Sequence, residues 1–334
     1  MNKTVLVVGG AGYIGSHTTI ALEEGGYNVV VLDDLSNGHE EFVGSRPFVK
    51  GDIRKLSDLR LAFDKYRIDA VVHFAAKAYV GESVTDPMMY YQTNVVGTIN
   101  LLSTMIDYGV EQLVFSSSCA TYGTPIRLPI SEDQPQMPVN PYGRTKLAAE
   151  HAILDFARAY RLRSVLLRYF NVIGADPELR VGERHVPETH LVPRAIGASL
   201  DNTEFRLFGN DYETHDGTCV RDYVHVADLA RAHVAALDRL QDGSIAASAF
   251  NIGIGKGFSV REVVDAVQKS VGRPINVAIA ARRPGDPAAL ISEPENAVSR
   301  LGWAPKICDL NEMIDSAVAW EKKERARRTM TRDQ

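Results

Sequence analysis

Tyr142 and Lys146 stand four residues apart in Pro141-Tyr142-Gly143-Arg144-Thr145-Lys146, and three serines, Ser116, Ser117 and Ser118, close a β-type run upstream. Residues at i and i+4 share one helical face, so the lysine ammonium is expected beside the phenol. A free phenol, with a pKa of about 10, is a poor base at neutral pH. A nearby cation stabilises the phenolate and lowers that value. On this reading Tyr142 takes up and returns a proton, Lys146 sets its basicity and Ser118 hydrogen-bonds the substrate oxygen, which are the parts needed to activate a hydroxyl.

A second chemical signal lies at the start of the chain. The run Thr4 to Val8 leads into Gly9-Gly10-Ala11-Gly12-Tyr13-Ile14-Gly15 and then into a helix-like stretch. Glycines at this spacing let the backbone turn sharply and approach a pyrophosphate, whose charge sits on the first amides of the helix. Asp33 ends the second run, roughly twenty residues further on, where a carboxylate accepts both ribose hydroxyls and repels a 2′-phosphate. That favours NAD over NADP. Asp52 and Ile53 follow the third run, and Phe74, Ala75 and Ala76 the fourth, at further carboxyl ends where ligands gather in open sheets. Asp52 suits an adenine amine and Ile53 the face of its ring. An oxidised nicotinamide near Tyr142 would add its positive charge to that of Lys146.

Elements must hold these residues together, and the first half of the chain supplies them by alternation. Strands are predicted over Thr4 to Val8, Asn28 to Leu32, Pro47 to Lys50, Ala70 to Phe74, Gln112 to Ser116 and Ser164 to Arg168. Helices are predicted near Tyr13 to Glu24, Leu56 to Tyr66, Pro87 to Tyr108 and Tyr142 to Tyr160. Strands apolar on consecutive residues and separated by amphipathic helices predict a parallel sheet covered on both faces. The stretch from Gly174 to His190 lacks an apolar period and reads as a long loop. Beyond it, helices near Leu191 to Leu200, Val226 to Leu240, Ser259 to Val271 and Leu310 to Trp320 interleave with strands at Ala249 to Ile252 and Ile275 to Ile279. The expected fold class is α/β: a Rossmann-type doubly wound parallel sheet over 1–173, then a smaller C-terminal α/β substrate-binding portion over 174–334, with the chain free to cross between them.

Composition narrows the function classes. The chain has 334 residues, 45% hydrophobic and 24% charged, and a net charge of −5, so nothing electrostatic argues for nucleic acid or an anionic membrane. No apolar run reaches the roughly 18 residues of a membrane span, and Met1-Asn2-Lys3 leads straight into a β-type run, so a soluble, cytoplasmic protein is expected. Cys119, Cys219 and Cys308 are widely spaced and odd in number, which predicts reduced thiols rather than disulfides. The nine histidines, His185, His190 and His225 among them, are read as loop or polar-surface residues without metal-ligand spacing, so no metal is expected. The basic tail, Lys322, Lys323, Arg325, Arg327, Arg328 and Arg332, reads as cations closing a terminal helix.

Taken together these residues resemble the extended short-chain dehydrogenase/reductase family and, within it, the nucleotide-sugar 4-epimerases of the UDP-glucose type. The similarity runs over nearly the whole chain. Beyond the motifs above it is carried by Gly81-Glu82-Ser83, Leu167-Arg168-Tyr169-Phe170-Asn171, Phe208-Gly209-Asn210-Asp211-Tyr212, Val220-Arg221-Asp222-Tyr223 and Arg282-Arg283-Pro284-Gly285-Asp286. The resemblance implies tightly held NAD, contacted by Gly9, Gly12, Tyr13, Ile14, Gly15, Asp33, Asn37, Asp52, Ile53, Phe74, Ala75, Ala76, Ser116, Tyr142, Lys146 and Tyr169. It implies a UDP-sugar held by Ser118, Tyr142, Asn171, His190, Leu191, Phe208, Arg221, Arg283 and Asp286; guanidinium groups suit a diphosphate and an aromatic ring suits uracil. The implied reaction is transient oxidation at C4, turnover of the 4-keto sugar, and reduction from its other face.

Departures from the family pattern leave the sugar open. Relatives carry a lysine after the fourth strand, whereas Lys77 falls one place earlier and Ala78 holds the matched position. A tyrosine that narrows the sugar site in some members is Leu290 here, so N-acetylated sugars and, by further similarity to plant enzymes, UDP-xylose or UDP-arabinose stand beside UDP-glucose. Sugar 4,6-dehydratases place an Asp-Glu pair where this chain has Cys119 and Ala120, which argues against that chemistry. A free-standing reductase would favour NADPH, which Asp33 opposes, and a non-catalytic dinucleotide sensor has no use for an activated phenol. By analogy a homodimer is expected through the helices near Pro87 to Tyr108 and Tyr142 to Tyr160, with Met88, Met89, Met105, Ile153 and Phe156 as candidates for the contact.

Overall fold

In the computed structural model, which describes residues 2–283 and 285–332 (of 330–332 the backbone alone), the β-branched runs become strands close to their expected bounds. Met1, Pro284 and the side chain of Arg332 fall outside the described residues. In chain order the strands are β1 (Thr4–Val8), β2 (Asn28–Asp33), β3 (Phe48–Lys50), β4 (Ala70–His73), β5 (Gln112–Ser118), β6 (Arg163–Tyr169), β7 (Asn171–Ile173), β8 (Glu204–Phe208), β9 (Val220–His225), β10 (Ala247–Ile252), β11 (Gly257–Ser259), β12 (Asn276–Ala280) and β13 (Ala289–Leu290). The helices are α1 (Tyr13–Glu24), α2 (Glu40–Val43), α3 (Leu56–Lys65), α4 (Val80–Thr85), α5 (Pro87–Tyr90), α6 (Gly97–Asp107), α7 (Pro141–Ala159), α8 (Leu191–Asp201), α9 (Val226–Gln241), α10 (Val260–Val271) and α11 (Leu310–Arg332).

Seven strands form one parallel sheet in the order β10-β6-β5-β4-β1-β2-β3. Because side chains alternate across a strand, each run feeds two cores. Val5, Val7, Val29, Val31, Val72 and Val114 face α1 and α9, while Leu6, Val8, Val30, Leu32, Val71 and Leu113 face α3, α6 and α7. Both faces are dry, which is why the strands read as continuous apolar runs. A third core joins α8, α10 and α11 to β8 and β9. The chain returns to the large sheet after residue 174: β10 pairs with β6 from Ala247↔Ser164 to Ile252↔Tyr169, and α9 packs on α1.

Two helices differ from expectation. The predicted helix Pro87 to Tyr108 is interrupted by a π-turn over Tyr91–Val96 between α5 and α6. Wide turns of this kind accompany functional sites. Here the turn holds buried Asn94, whose side chain meets both backbone groups of Lys77 and Thr145 Oγ1. The terminal helix runs on to Arg332, its cations held by carboxylates: Arg325 pairs with Asp201 and Glu321, and Arg327 with Glu324. Met105 and Ile153, taken as interface candidates, are fully buried in the chain's own core, because their faces of α6 and α7 lie on the sheet.

The reading of the histidines as surface residues needs correction. His17, His73, His225 and His233 are all buried, each with a ring nitrogen on a backbone carbonyl or hydroxyl: Tyr13 O, Thr98 Oγ1, Ser316 Oγ and, for His233, both Leu229 O and Ser116 Oγ. Burial lowers them from 6.5 to about 4, 3, 4 and 4 respectively. Below pH 6.5 the unfolded chain binds protons that the folded chain refuses, so their contribution to stability is full above 6.5 and is lost as pH falls toward 4. We expect His233→Asn to flatten the fall in stability over this window by about 1.4 kcal/mol per pH unit, one proton's worth, in urea denaturation series. Parallel pH curves for the variant and the parent would refute this.

Candidate active site

The carboxyl ends of β1 to β6 open on a cavity of about 400 Å³. Gly9, Gly12, Tyr13, Ile14 and Gly15 line it from the turn into α1; Asp33 and Asn37 follow β2, Asp52 and Ile53 follow β3, and Phe74, Ala75 and Ala76 follow β4. The glycine turn is required sterically. A Cβ on Gly15 would stand 2.2 Å from Gly9 O, and one on Gly9, which has φ +83°, would stand 2.5 Å from the Ala75 nitrogen. Only glycine brings the turn, the helix start and the β4 end this close. Asp33 is buried and fixed: its two oxygens accept the N–H groups of Ala11 and Leu35 at 3.0 and 2.8 Å. Burial pushes its carboxyl up, against the pull of those two hydrogen bonds. Asp52 is clamped by Arg54 at 2.7 Å, which holds its carboxyl below the ordinary range.

Asn140 caps α7 by accepting the Gly143 N–H at 2.8 Å, and Pro141 begins the helix with a ring already set to helical φ. Tyr142 therefore falls on the first turn, with Lys146 and Glu150 one and two turns on along the same face. Tyr142, Lys146 and Ser118 all line the cavity, as does Tyr169 at the end of β6. Lys146 Nζ donates to Ser116 O at 2.7 Å and lies 4.9 Å from the centre of the Phe115 ring. Burial lowers Lys146 to about 7, with Glu150 opposing.

Tyr142 departs from the sequence-based expectation. Burial raises its phenol well above the ordinary value, Tyr169 adds to the rise, Ser118 pulls the other way, and Lys146 is not among the groups that shift it. Burial dominates because a phenolate in the cavity wall loses hydration that the surrounding side chains do not restore. As it stands the residue is a proton donor, and an added positive charge in the cavity is what would turn it toward a base.

Beneath this face lies a buried ion pair that the sequence reading missed. Arg168 donates to both oxygens of Glu150 (3.0 and 2.7 Å), with side chains 6% and 1% exposed. Ser117 Oγ and Gln136 Nε2 also donate to Glu150, and Arg168 reaches the Tyr122 hydroxyl at 3.0 Å. The signal was present: Glu150 follows Lys146 by four residues in the same helix.

Not every candidate reaches the cavity. Ser116 is buried behind it, its carbonyl under Lys146 and its hydroxyl on His233 Nε2 at 3.1 Å. Asn171, His190 and Leu191 do line the cavity, with Lys77, Ala78 and Tyr79 on the wall after β4. Phe208, Arg221, Arg283 and Asp286 do not. They gather in the C-terminal portion, where the Arg283 guanidinium stacks 4.1 Å over the Phe208 ring and Arg221 meets Asp286 at 3.3 Å. Leu290 packs on a cluster of Cys119, Tyr122, Ile130 and Phe170. Burial raises the Cys119 thiol to about 12, consistent with a packing role. His185 and His190, expected apart in a loop, converge with Glu183 and Glu188 at the cavity wall.

These parts define a class: an NAD-dependent enzyme whose glycine turn and Tyr-Lys helix meet at one cavity. The chain belongs to the NAD dependent epimerase/dehydratase family, which its residues 5–253 match. It is 50% identical over 323 residues to UDP-glucose 4-epimerase of Rhizobium meliloti (strain 1021), covering 96% of this chain and 98% of that one. It is 42% identical to putative UDP-arabinose 4-epimerase 2 of Arabidopsis thaliana, over 96% of this chain and 80% of the other. The crystal structure of UDP-glucose 4-epimerase from Brucella ovis in complex with NAD superposes with a TM-score of 0.92 at 51% identity, covering 95% of this chain and 98% of that one.

Proposed function

We propose that this chain inverts C4 of a UDP-hexose, the reaction of a UDP-glucose 4-epimerase, while keeping one NAD bound throughout. The observation that carries the reading is the convergence of Ser118, Tyr142 and Lys146 on the cavity that also holds the glycine turn and Asp33. The residues fit the cofactor. The turn tolerates no side chain at Gly9 or Gly15, Gly12 lines the cavity beside them, and Asp33 keeps a lone pair on each oxygen for a ribose hydroxyl. When bound, NAD supplies hydride acceptance and return at C4.

The chain's residues supply the rest. Ser118 holds the 4-oxygen, and Tyr142 takes its proton and later gives it back, so proton transfers begin and end the cycle on one phenol. Lys146, anchored on Ser116 O, brings positive charge under the site in its protonated form. Arg221, Arg283 and Phe208 hold the UDP end, leaving the keto sugar free to present its other face. With Cys119 and Ala120 after Ser118, no acid stands where a dehydratase expels a 6-hydroxyl. The likeness to a UDP-arabinose 4-epimerase favours a pentose as a second substrate, and the shorter side chain of Leu290 leaves an N-acetylated sugar as a third. Incubating the protein with UDP-glucose, UDP-xylose and UDP-N-acetylglucosamine, without added cofactor, should yield UDP-galactose from the first by NMR. A 6-deoxy product, or no change in any, would overturn the proposal.

The reading extends to a homodimer in a reducing, cytoplasmic setting, supported by three unpaired cysteines and by an apolar strip along α4 to α6. Val84 and Met88 are 64% and 66% exposed there, with Tyr91, Val96 and Ile99 continuing the strip. Light scattering should find a dimer that Val84→Asp/Met88→Asp converts to monomer. A monomeric parent, or a dimeric variant, would exclude this interface.

A further inference from the structure

We propose that Glu183, His185, Glu188 and His190 bind one divalent transition cation of the zinc type at the wall of the cavity. Their ligand atoms all lie within 4.8 Å of one another. His185 Nδ1 stands 3.3 Å from Glu183 Oε1 and 3.6 Å from Glu188 Oε2; His190 Nδ1 stands 2.8 and 3.0 Å from oxygens of the same two carboxylates. Four ligands at about 2.0–2.2 Å around a tetrahedral ion are separated by about 3.3–3.6 Å. The His185 distances match those edges, and the His190 distances fall short of them by about 0.3–0.8 Å, so that ring swings outward to admit an ion.

A second observation singles out His185. Its Nδ1 is buried and makes no hydrogen bond, although two carboxylates face it. A buried nitrogen that faces two carboxylates without an aligned hydrogen bond to either is poorly satisfied, and a shared ion satisfies it. Two imidazoles and two carboxylates also cancel the charge of a divalent ion. Such a mixed nitrogen and oxygen set suits zinc, whereas calcium and magnesium take oxygen alone. The rings are already oriented, His185 by the edges of Tyr13 and Tyr79, and His190 by Tyr79. The four residues fall within eight positions of a segment that has no helix or strand of its own between β7 and α8. An ion there would fix the shape of that wall. Two proton-bridged ion pairs are the competing account of the same cluster.

The inference goes beyond the epimerase reading, and its readout is bound metal rather than turnover, so its failure leaves that reading intact. Full-length protein without a histidine tag, stripped with chelator and equilibrated with Zn²⁺, should retain one equivalent through gel filtration. Co²⁺ in its place should give the strong visible absorption of a four-coordinate site. His185→Ala and Glu183→Gln should each weaken Zn²⁺ binding at least about 10-fold, and His151→Ala, at an exposed position outside the cluster, should not. No retained equivalent and no Co²⁺ spectrum in the parent protein, or binding unchanged in both cluster variants, would overturn the proposal and leave proton-bridged pairs. The Co²⁺ spectrum decides the matter even if a variant fails to fold.

Discussion

Replacing Tyr142 with phenylalanine should lower turnover roughly 100- to 10,000-fold, the usual contribution of a positioned acid–base group. The ring is 8% exposed and packed in the cavity wall, so the substitution deletes a hydroxyl without opening a hole. Thermal stability and cofactor content should therefore stay close to those of the parent, and the loss should appear in kcat rather than KM. The structure sharpens why the effect is large. Burial, with Tyr169 adding to it, raises this phenol, so proton release depends on charge brought into the cavity. A phenylalanine variant that turns over within a factor of ten of the parent would remove Tyr142 from the chemistry.

Glu150→Ala should destabilise the fold by about 3–5 kcal/mol, because it leaves the Arg168 guanidinium buried without its counter-charge. Urea denaturation reads this directly. Replacing both partners, as Glu150→Met/Arg168→Met, should recover most of the loss, since the burial penalty then disappears with the charges. A loss below about 1 kcal/mol in the single variant would show that water or a neighbour already satisfies Arg168. The same carboxylate raises the Lys146 value against burial. Its removal should let Lys146 lose its proton at lower pH and move the alkaline limb of the activity profile downward.

The parallel sheet was legible because β-branched runs alternate with amphipathic helices, and six strands of the first half fall within a residue or two of their expected bounds. The glycine turn, Asp33 and the Tyr-Lys pair were legible because their chemistry depends on local spacing. What sequence could not give was the outcome of burial. Tyr142 and Lys146 share a helix face as expected, but the dry wall reverses the expected direction of the phenol's shift. Four histidines read as surface residues are buried because hydroxyls and carbonyls distant in sequence meet their rings, Ser116 on His233 being one case. The π-turn that places Asn94 on Lys77 arises from packing between distant segments. The convergence of Glu183, His185, Glu188 and His190 was written as E-x-H-x-x-E-x-H, yet it was hidden in a stretch with no periodicity to draw attention to it.

The central claim is that a hydrogen removed from C4 is held in the site and returned to the same carbon. UDP-glucose carrying deuterium at C4, incubated with the purified protein and no added dinucleotide, tests it in one measurement. The account predicts UDP-galactose with the label still on C4. Label lost to solvent water, or product formed only when dinucleotide is supplied in amounts matching the sugar, would contradict it.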